Sequence, residues 1–382
     1  MPDEGGVRVG LPEGLGIGPG ERGAMLLVRC LRGIRAHDLT RVLWAEGAAS
    51  AALARIRSGD EGTDGDRTFL ATADAERIEA SVRACGARYV LPGEPGYDPL
   101  LLRLAEPPPG IFLRGRPLTP GTDRVAVVGT RRPSPAGREL AGDVARHLGL
   151  SGVQVISGGA MGIDAVAHRV ALDVGARSVA VLGCGIDRAY PRTNRELLAR
   201  IAATGTLVSE YPPGVPAEPH RFPARNRLIA ALSRAVVIVE GAERSGTRLT
   251  ANHALDLGID IFAVPGSPAS PLARTPLELL RDGARLIRGG EDLLGDLELA
   301  GLVRPRRLET VSEDLPAHER RVLEALDRPL LPDAVARRAS MTIPEAFATL
   351  VELELRGMVR GVGGRFERTF GGGLAGVASR TG

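Results

Sequence analysis

Six short apolar segments between residues 125 and 266 constrain the fold of this chain more than any other feature. They read VAVVG (125–129), VQVIS (153–157), SVAVLG (178–183), TLVSE (206–210), AVVIVEG (235–241) and IFAVPG (261–266). Amphipathic helical stretches separate most of them, and this alternation is typical of a parallel sheet covered on both faces. We therefore predict an α/β fold for residues 86–300, with a Rossmann-like, doubly wound and mostly parallel sheet. Nearly every strand ends in Gly or Ser, at the sheet edge where such folds bind ligands.

The segments that flank this domain have different patterns. Residues 1–20 are Gly-rich and acidic, and we predict a disordered leader there. Residues 21–85 have apolar side chains at helical spacing, which predicts a small helical domain. A polar linker at 301–316 precedes residues 317–370, where three helices and a β-hairpin follow one another as in a winged helix. We predict a disordered tail at 371–382.

The third helix of the predicted winged helix is acidic rather than basic. It reads PEAFATLVELELRG and contains Glu345, Glu352 and Glu354. Because a recognition helix that faces DNA should be basic, we favour a structural or protein-contact role for this unit over DNA binding.

The basic residues restrict the chemistry of the chain, because all 49 of them are arginine and none is lysine. A P-loop lysine, a Schiff-base lysine and a lysine general base are therefore excluded. Phosphate contacts have to come from arginine, backbone N–H groups and hydroxyls. The three cysteines lack metal-ligand spacing, so we predict no metal and a reducing, cytoplasmic location. We also predict no cofactor. No apolar run approaches the roughly 20 residues of a membrane span, and we expect no membrane association.

The stretch VISGGAMGIDAVAH at 155–168 combines a strand, a tight glycine turn and a helix N-terminus. Glycines let the backbone approach a bound group, and the free N–H groups of a first helical turn attract anions. The turn residues predicted to hold a phosphate are Ser157, Gly158, Gly159 and Gly162. His168 either contacts the phosphate or packs in the core, whereas Asp164 is expected to cap or orient the turn.

Two other loops follow predicted strands and offer groups that bind anions. The first loop contains Gly129, Arg131 and Arg132 and combines N–H groups with guanidinium forks, although a surface loop with incidental arginines is an alternative. The second loop contains Ser245, Gly246 and Thr247 and opens a helix, where N–H and hydroxyl donors are again available.

The block PHRFPARNR at 219–227 is the densest cluster of arginines near an aromatic residue. We read it as a loop that precedes a helix at 226–232. Arginine for phosphates together with an aromatic ring for base stacking is the combination that single-stranded nucleic acid needs. A solvated basic loop is the alternative. The candidate binding residues in the block are Phe222, Arg225, Asn226 and Arg227.

These blocks, in this order, resemble the DNA processing protein A family (DprA, also called Smf). The resemblance is carried by VAVVGTRRPSPAG, ISGGAMGIDAVAH, AVLGCGIDRAYPRTNREL, LVSEYPPG, HRFPARNRLIAALSRAVVIVEGAERSGTRLTA and IFAVPGSP. It implies a non-enzymatic protein that binds and protects incoming single-stranded DNA during natural transformation. It further implies a homodimer that helps to load a RecA-type recombinase. The flanks also fit, since the family often has a helical domain similar to a sterile alpha motif (SAM-like) before the Rossmann-like domain and a winged helix after it.

The resemblance also implies which residues line the strand-binding pocket. They are Arg131, the turn Ser157–Gly162, Phe222, Arg225, Asn226, Arg227 and Ser245–Thr247. The chain departs from the family at Met161, where the pattern S-G-x-A-R/K-G-I-D has a basic residue. One phosphate contact is therefore missing unless a neighbouring arginine such as Arg132 supplies it. A second departure is Arg274–Leu277, which stands in place of the family's G-T/C-N.

An enzymatic alternative is a Rossmann-like nucleoside-monophosphate phosphoribohydrolase of the cytokinin-activating, lysine-decarboxylase-like family. Those enzymes share the S/G-G-G-A-x-G turn and carry a P-G-G-x-G-T-x-x-E block that ends in a catalytic glutamate. In this chain the comparable run is Gly246–Thr250, and Thr250 stands where the carboxylate should be. General acid–base catalysis therefore lacks its residue, and we predict that the chain is not an enzyme and has no catalytic residue.

Overall fold

The structure, a computed structural model, describes residues 19–34, 38–39, 42–43, 46–243, 245–303, 315–326, 329–355 and 358–368. The predicted tail, most of the predicted leader and most of the predicted linker lie outside these residues. Two compact units divide the chain, residues 1–305 and residues 306–382. Each unit has its own hydrophobic core.

A nine-stranded sheet is the centre of the first unit. Its strands are β1 (Ala87–Val90), β2 (Ile111–Gly115), β3 (Arg124–Val128), β4 (Gln154–Ser157), β5 (Ser178–Leu182), β6 (Thr206–Ser209), β7 (Ala235–Ile238), β8 (Asp260–Ala263) and β9 (Arg285–Leu286). Their order is β1-β2-β6-β5-β4-β3-β7-β8-β9. Strand β2 pairs antiparallel with β1 and β6, and the remaining pairs are parallel. The predicted mostly parallel sheet is confirmed.

Helices cover both faces of this sheet. They are α1 (Pro19–Cys30), α2 (Ala49–Ser58), α3 (Asp64–Thr72), α4 (Ala75–Ala84), α5 (Pro135–Leu150), α6 (Ile163–Asp173), α7 (Arg195–Thr204), α8 (Arg221–Ala231), α9 (Gly246–Asp256), α10 (Arg274–Arg281) and α11 (Gly290–Leu299). Local chemistry explains where they begin. Helix α5, for example, starts with Pro135 directly after Ser134, whose hydroxyl accepts a 3.0 Å hydrogen bond from the Gly137 N–H. Among the described residues, none of the helices has the length and apolar character needed to span a bilayer.

The two faces of the sheet bury separate sets of side chains. Val125 and Val127 of β3 belong to the same core cluster as residues of α5 and α6. Ala126 and Val128 belong to the cluster that holds residues of α8 and α9. Successive side chains of a strand point to opposite faces, so an uninterrupted apolar strand is required where helices cover both.

The N-terminal helices share a hydrophobic core with the sheet. Met25 and Leu26 of α1 lie in the same buried cluster as Leu182 of β5 and Leu207 of β6. The helical character predicted for residues 21–85 is therefore present, but these helices form one compact unit with the sheet because their apolar faces are buried against it.

The second unit contains helices α12 (Ala317–Ala325), α13 (Pro332–Ala339) and α14 (Ile343–Leu355) and the strands β10 (Val359–Val362) and β11 (Arg365–Arg368). The two strands form an antiparallel pair, and Leu330 bridges to Phe366 of β11. This is the order of elements predicted for a winged helix. Helix α14 has no basic residue, and its exposed side carries the apolar residues Ile343, Phe347, Val351 and Leu355.

Candidate nucleic-acid interface

The strand order reverses at β3, because β4 lies on one side of it and β7 on the other. Open α/β sheets bind ligands outside the carboxyl ends of their strands at such a switch point. A cleft of about 900 Å³ lies there, lined by the loops that follow β3 and β7, the start of α8 and Tyr190. The predicted site residues that line it are Gly129, Arg131, Arg132, Phe222, Arg225, Asn226, Ser245, Gly246 and Thr247.

Three side chains in the cleft form a stacking cluster, which consists of Arg131, Tyr190 and Phe222. The ring centroids of Phe222 and Tyr190 are 5.1 Å apart, and the guanidinium carbon of Arg131 lies 5.5 Å from the Phe222 centroid, over the ring. Arg131 is exposed, and Tyr190 is 44 % exposed. The cluster therefore offers an aromatic surface to a base and a positive charge to a phosphate at one place.

Tyr190 is the member of the cluster that sequence reasoning missed. It lies in the loop that follows β5, within the block AYPRTN. Its position in the sequence could have identified it, because loops that follow the strands of a parallel sheet meet at one edge and Tyr190 is an aromatic residue in such a loop.

The loop after β3 is held in place by the carboxylate at the end of the neighbouring strand. Glu240 accepts hydrogen bonds from the N–H and the hydroxyl of Ser134, at 2.9 and 2.6 Å. Its own carbonyl oxygen accepts a bond from the Thr130 N–H at 2.7 Å. Gly162 packs so closely that a Cβ there would lie 2.3 Å from the Thr130 oxygen, and its φ of +82° also favours glycine. Both arginines of the loop are exposed on this fixed backbone.

The glycine turn after β4 is held by side chains from within the protein. Asp164 Oδ2 accepts hydrogen bonds from the N–H groups of Gly158 and Ala160, at 3.1 and 3.3 Å. Asn194 donates to the carbonyl oxygens of the two residues after Gly158, both at 3.0 Å. The prediction that Asp164 orients the turn is confirmed. Because its carboxylate already binds two N–H groups, the turn shapes the wall of the cleft rather than donating those groups to a ligand.

Arg225 is the central support of this turn. It is 4 % exposed, and its guanidinium donates to the carbonyl oxygens of Gly158, at 2.6 Å, and of Val181. Burial lowers the pKa of Arg225 to about 10, an effect opposed by the negative charge of Asp164. Burial raises the pKa of Asp164, and the guanidinium opposes that shift in turn. The sequence predicts Arg225 as a direct DNA contact, but the structure places it in the floor of the cleft with its charge directed to the protein.

The turn residues Ser157, Gly158, Gly159 and Gly162 do not themselves line the cleft, and neither do two further predicted site residues, Arg227 and His168. Arg227 donates a 2.6 Å hydrogen bond to Glu210, a carboxylate that is 3 % exposed. His168 is fully buried, with its Nδ1 atom 2.7 Å from the Ser178 hydroxyl. Burial lowers the pKa of His168 to about 3, which keeps the ring neutral. Of the two alternatives for His168, the structure shows packing in the core.

Residues 221–227 of the block PHRFPARNR are helical, whereas the sequence predicted a loop. Helix α8 begins at Arg221, five residues before the predicted start at 226. Pro223 falls in the first turn, where its missing N–H removes no intrahelical hydrogen bond. The helix directs Phe222 to the cleft and turns Arg225 and Arg227 inward, so the block is not the solvated basic loop of the alternative interpretation.

The start of α9 forms the wall of the cleft that follows β7. Ser245 occupies the N-cap position, and the Asn226 side chain donates a 3.0 Å hydrogen bond to the Gly246 carbonyl oxygen. Asn226 thus ties the start of α9 to α8. The first amides of a helix have no intrahelical acceptor, so those of Gly246 and Thr247 are donors available at the cleft wall.

The carboxylates that line the cleft, within the described residues, are both engaged. Asp164 binds the glycine turn, and Glu243 pairs with Arg274 at 2.9 Å. Thr250 is buried, and its hydroxyl lies 3.5 Å from the Gly246 carbonyl oxygen. These contacts give no support to a general acid or base at this position.

One group of close metal-ligand atoms occurs in the described part of the chain, outside the cleft residues. It consists of His318, Glu319 and Glu352 in α12 and α14, whose ligand atoms lie within 4.8 Å of one another. Exposed acidic groups are common without a metal, and we assign none here.

Met161, where the family pattern has a basic residue, is 45 % exposed. It lines a small recess that adjoins the cleft and that also contains Arg131, Tyr190 and Phe222. A side chain at position 161 therefore stands next to the stacking cluster.

Comparisons with known proteins show the family of the chain. The family model described as DNA recombination-mediator protein A matches residues 88–298, and the model of the DprA winged helix domain matches residues 306–365. The chain is 36% identical over 279 residues to Protein Smf of Escherichia coli (strain K12), covering 71% of this chain and 75% of that protein. It is 33% identical over 222 residues to DNA processing protein DprA of Bacillus subtilis (strain 168), covering 58% of this chain and 75% of that protein.

A solved structure is also similar. The X-ray structure of DNA processing protein A from Streptococcus pneumoniae aligns with a TM-score of 0.56 and 29% sequence identity, covering 69% of this chain and 87% of that chain. The winged helix predicted for the second unit is confirmed by its family model. Since the recombination-mediator model spans more than half of the chain, this protein belongs to the DNA processing protein A family.

Proposed function

We propose that this chain binds single-stranded DNA in the cleft at the carboxyl edge of the sheet and does so without catalysing a reaction. The observation that carries the proposal is the stacking cluster of Arg131, Tyr190 and Phe222. Bases of any sequence stack on aromatic rings, and a guanidinium next to the ring pairs with the backbone.

The phosphates of a bound strand have two sources of contacts. Arg131 and Arg132 are exposed on a loop that Glu240 holds in place. Across the cleft, the first amides of α9 offer N–H donors at the positive end of a helix dipole. These groups recognise a sugar–phosphate backbone without reading its sequence.

The position of Phe222 favours a single strand over a duplex. The ring is partly exposed inside a cleft, so a base reaches it only after leaving its neighbours in the stack. Unpaired bases splay out at little cost, whereas a paired base has to be extracted from the duplex first.

Further roles follow from the family. We propose that the protein protects incoming DNA during natural transformation, acts as a homodimer in the cytoplasm and helps to load a RecA-type recombinase. Filament assembly by such a recombinase on a strand precoated with a single-strand-binding protein should then be faster when this protein is present. An unchanged rate would remove the loading role and leave the DNA-binding proposal intact.

The binding proposal is tested by removing one exposed charge in the cleft and one outside it. Arg131→Ala should weaken binding to an oligo(dT) strand and reduce the salt slope of log K by about 0.7, because one phosphate contact is lost. Arg169→Ala removes the same charge from an exposed position on α6 that does not line the cleft, and it should leave affinity and slope unchanged. Fluorescence anisotropy across a salt series measures the affinity and the salt slope, and a duplex of the same sequence measured alongside gives the preference for a single strand.

Two outcomes would contradict this proposal. Equal affinity and slope for Arg131→Ala and the wild type would remove the cleft as the binding site. Release of free base from a nucleoside monophosphate by the purified protein would instead support the phosphoribohydrolase alternative.

A further inference from the structure

Glu210 is a buried carboxylate that the cleft does not use. It follows β6 and is 3 % exposed. Its Oε1 atom accepts a 2.6 Å hydrogen bond from Arg227 of α8 and lies 3.8 Å from Nη1 of Arg29 in α1. One carboxylate thus joins the first described helix of the chain to the helix that carries Phe222.

A second set of contacts runs through the neighbouring residue. The Nε atom of Arg29 donates a 2.5 Å hydrogen bond to the Glu210 carbonyl oxygen, and its guanidinium carbon lies 5.8 Å from the ring centroid of Tyr211. Arg221, the first residue of α8, lies 5.2 Å from the same ring. Arg221 and Arg227 of α8 therefore contact the segment of residues 210–211. Arg29 of α1 contacts the same segment at the Glu210 carbonyl oxygen, the Glu210 carboxylate and the Tyr211 ring.

These contacts are well placed to set the position of α8. The Arg29 and Glu210 side chains are 14 % and 4 % exposed, so water does not screen their attraction as it does for surface pairs. Removing one partner from a buried pair leaves a charge only partly compensated, and the segment that carries it shifts or loosens. A shift of α8 moves Phe222 relative to Tyr190 and Arg131, which contact it from other loops.

We propose that Arg29 and Glu210 are positioning residues for DNA binding. Through them, α1 holds α8 where Phe222 meets the rest of the stacking cluster. The inference rests on the proposed function of the cleft and extends it to the N-terminal helices. These helices are then part of the DNA-binding structure, although none of their described residues lines the cleft.

The test compares two arginines of the same helix in the full-length chain. Arg29→Ala should weaken binding to oligo(dT) by about 3- to 10-fold, which lies within the roughly 2- to 30-fold typical of mutations that act through a coupled element. Its salt slope should equal that of the wild type, because Arg29 contacts no phosphate. Arg22→Ala is the matched control: Arg22 also bridges from α1, to Glu94 and to the Tyr89 carbonyl oxygen, but it does not contact α8 or the 210–211 segment. It should leave the affinity unchanged.

A double-mutant cycle separates positioning from general loosening of the fold. In a Phe222→Ala background, Arg29→Ala should weaken binding by less than about two-fold, because the residue it positions is already gone. Glu210→Gln, which retains the shape of the side chain, provides a second variant should Arg29→Ala fail to fold. Amide hydrogen exchange of α8 should rise in Arg29→Ala and in Glu210→Gln but not in Arg22→Ala.

The outcomes distinguish this inference from the proposed function. Wild-type affinity in Arg29→Ala, a slope reduced by about 0.7, or an equal loss in Arg22→Ala would each overturn the positioning role while leaving the cleft assignment standing. A wild-type chain that bound no oligonucleotide would overturn the proposed function and this inference with it.

Discussion

Asp164 and Arg225 bind opposite polar atoms of one residue, Gly158. The carboxylate of Asp164 accepts a hydrogen bond from the Gly158 N–H at 3.1 Å, and the guanidinium of Arg225 donates to the Gly158 carbonyl oxygen at 2.6 Å. Both side chains are at least 90 % buried. The turn beside the cleft is therefore fixed by two buried side chains of the protein itself.

Replacing Arg225 by alanine should destabilise the protein strongly. The change leaves Asp164 without its counter-charge and the carbonyl groups of Gly158 and Val181 without their donor, which predicts a loss of about 3–5 kcal/mol in the free energy of unfolding. Arg131→Ala removes an exposed guanidinium and should change that free energy by no more than about 0.5 kcal/mol. Urea denaturation measures both, and similar small losses would show that Arg225 does not support the turn.

Gly158→Ala should also be destabilising, for steric reasons. A Cβ at this position would lie 2.5 Å from Nη2 and 2.7 Å from Cζ of Arg225, and the guanidinium cannot retreat without losing its carbonyl partners. Overpacking of this kind costs about 1–3 kcal/mol. Gly295→Ala on α11 is the control, because its Cβ meets open space and alanine in a helix interior should stabilise by about 0.5–1 kcal/mol. If the two substitutions had the same effect on denaturation, the close approach at Gly158 would not matter.

Met161→Arg should strengthen binding to single-stranded DNA. The side chain at position 161 is exposed beside the stacking cluster, so an added guanidinium there gains a phosphate contact and steepens the salt slope by about 0.7. Met161→Gln, a neutral side chain of similar length, should retain the wild-type slope. A Met161→Arg variant with the wild-type slope would mean that residue 161 points away from the strand.

His168 should make the protein sensitive to acid. Burial lowers the pKa of His168 from 6.5 to about 3, so between these pH values the unfolded chain binds a proton that the folded chain does not. Above pH 6.5 this group therefore does not reduce the free energy of unfolding. Below that pH the free energy of unfolding falls as the pH decreases, by up to about 1.4 kcal/mol per pH unit.

The measurement is urea denaturation between pH 7 and pH 4. His168→Gln should flatten the dependence on pH, because glutamine does not titrate, whereas His220→Gln at an exposed position should leave it as in the wild type. Parallel curves for the wild type and His168→Gln would contradict the assignment.

Much of the architecture is determined by the sequence pattern alone. Six apolar strands between helices force a parallel sheet with two covered faces, since both sides of each strand are apolar and need a cover. Parallel strands bring their carboxyl ends to one edge, which is why the order of strands and loops along the chain suffices to assign the loops at Gly129 and Ser245 to one site. Strand β9 has only two residues, too few for a pattern to identify it, and in β1 Arg88 interrupts the apolar residues.

Only the tertiary structure decided which arginine does what. Arg131 and Arg225 both belong to blocks that the sequence associates with DNA, yet one is exposed beside Phe222 and the other is buried beneath Gly158. Likewise, the contact between Arg29 and Glu210 joins residues that are 181 positions apart. Residue type and spacing are local properties of the chain, and they are enough to determine where strands and helices form. The solvent exposure of a charge, and the partner that it meets, depend on chain segments brought together by burial of the core.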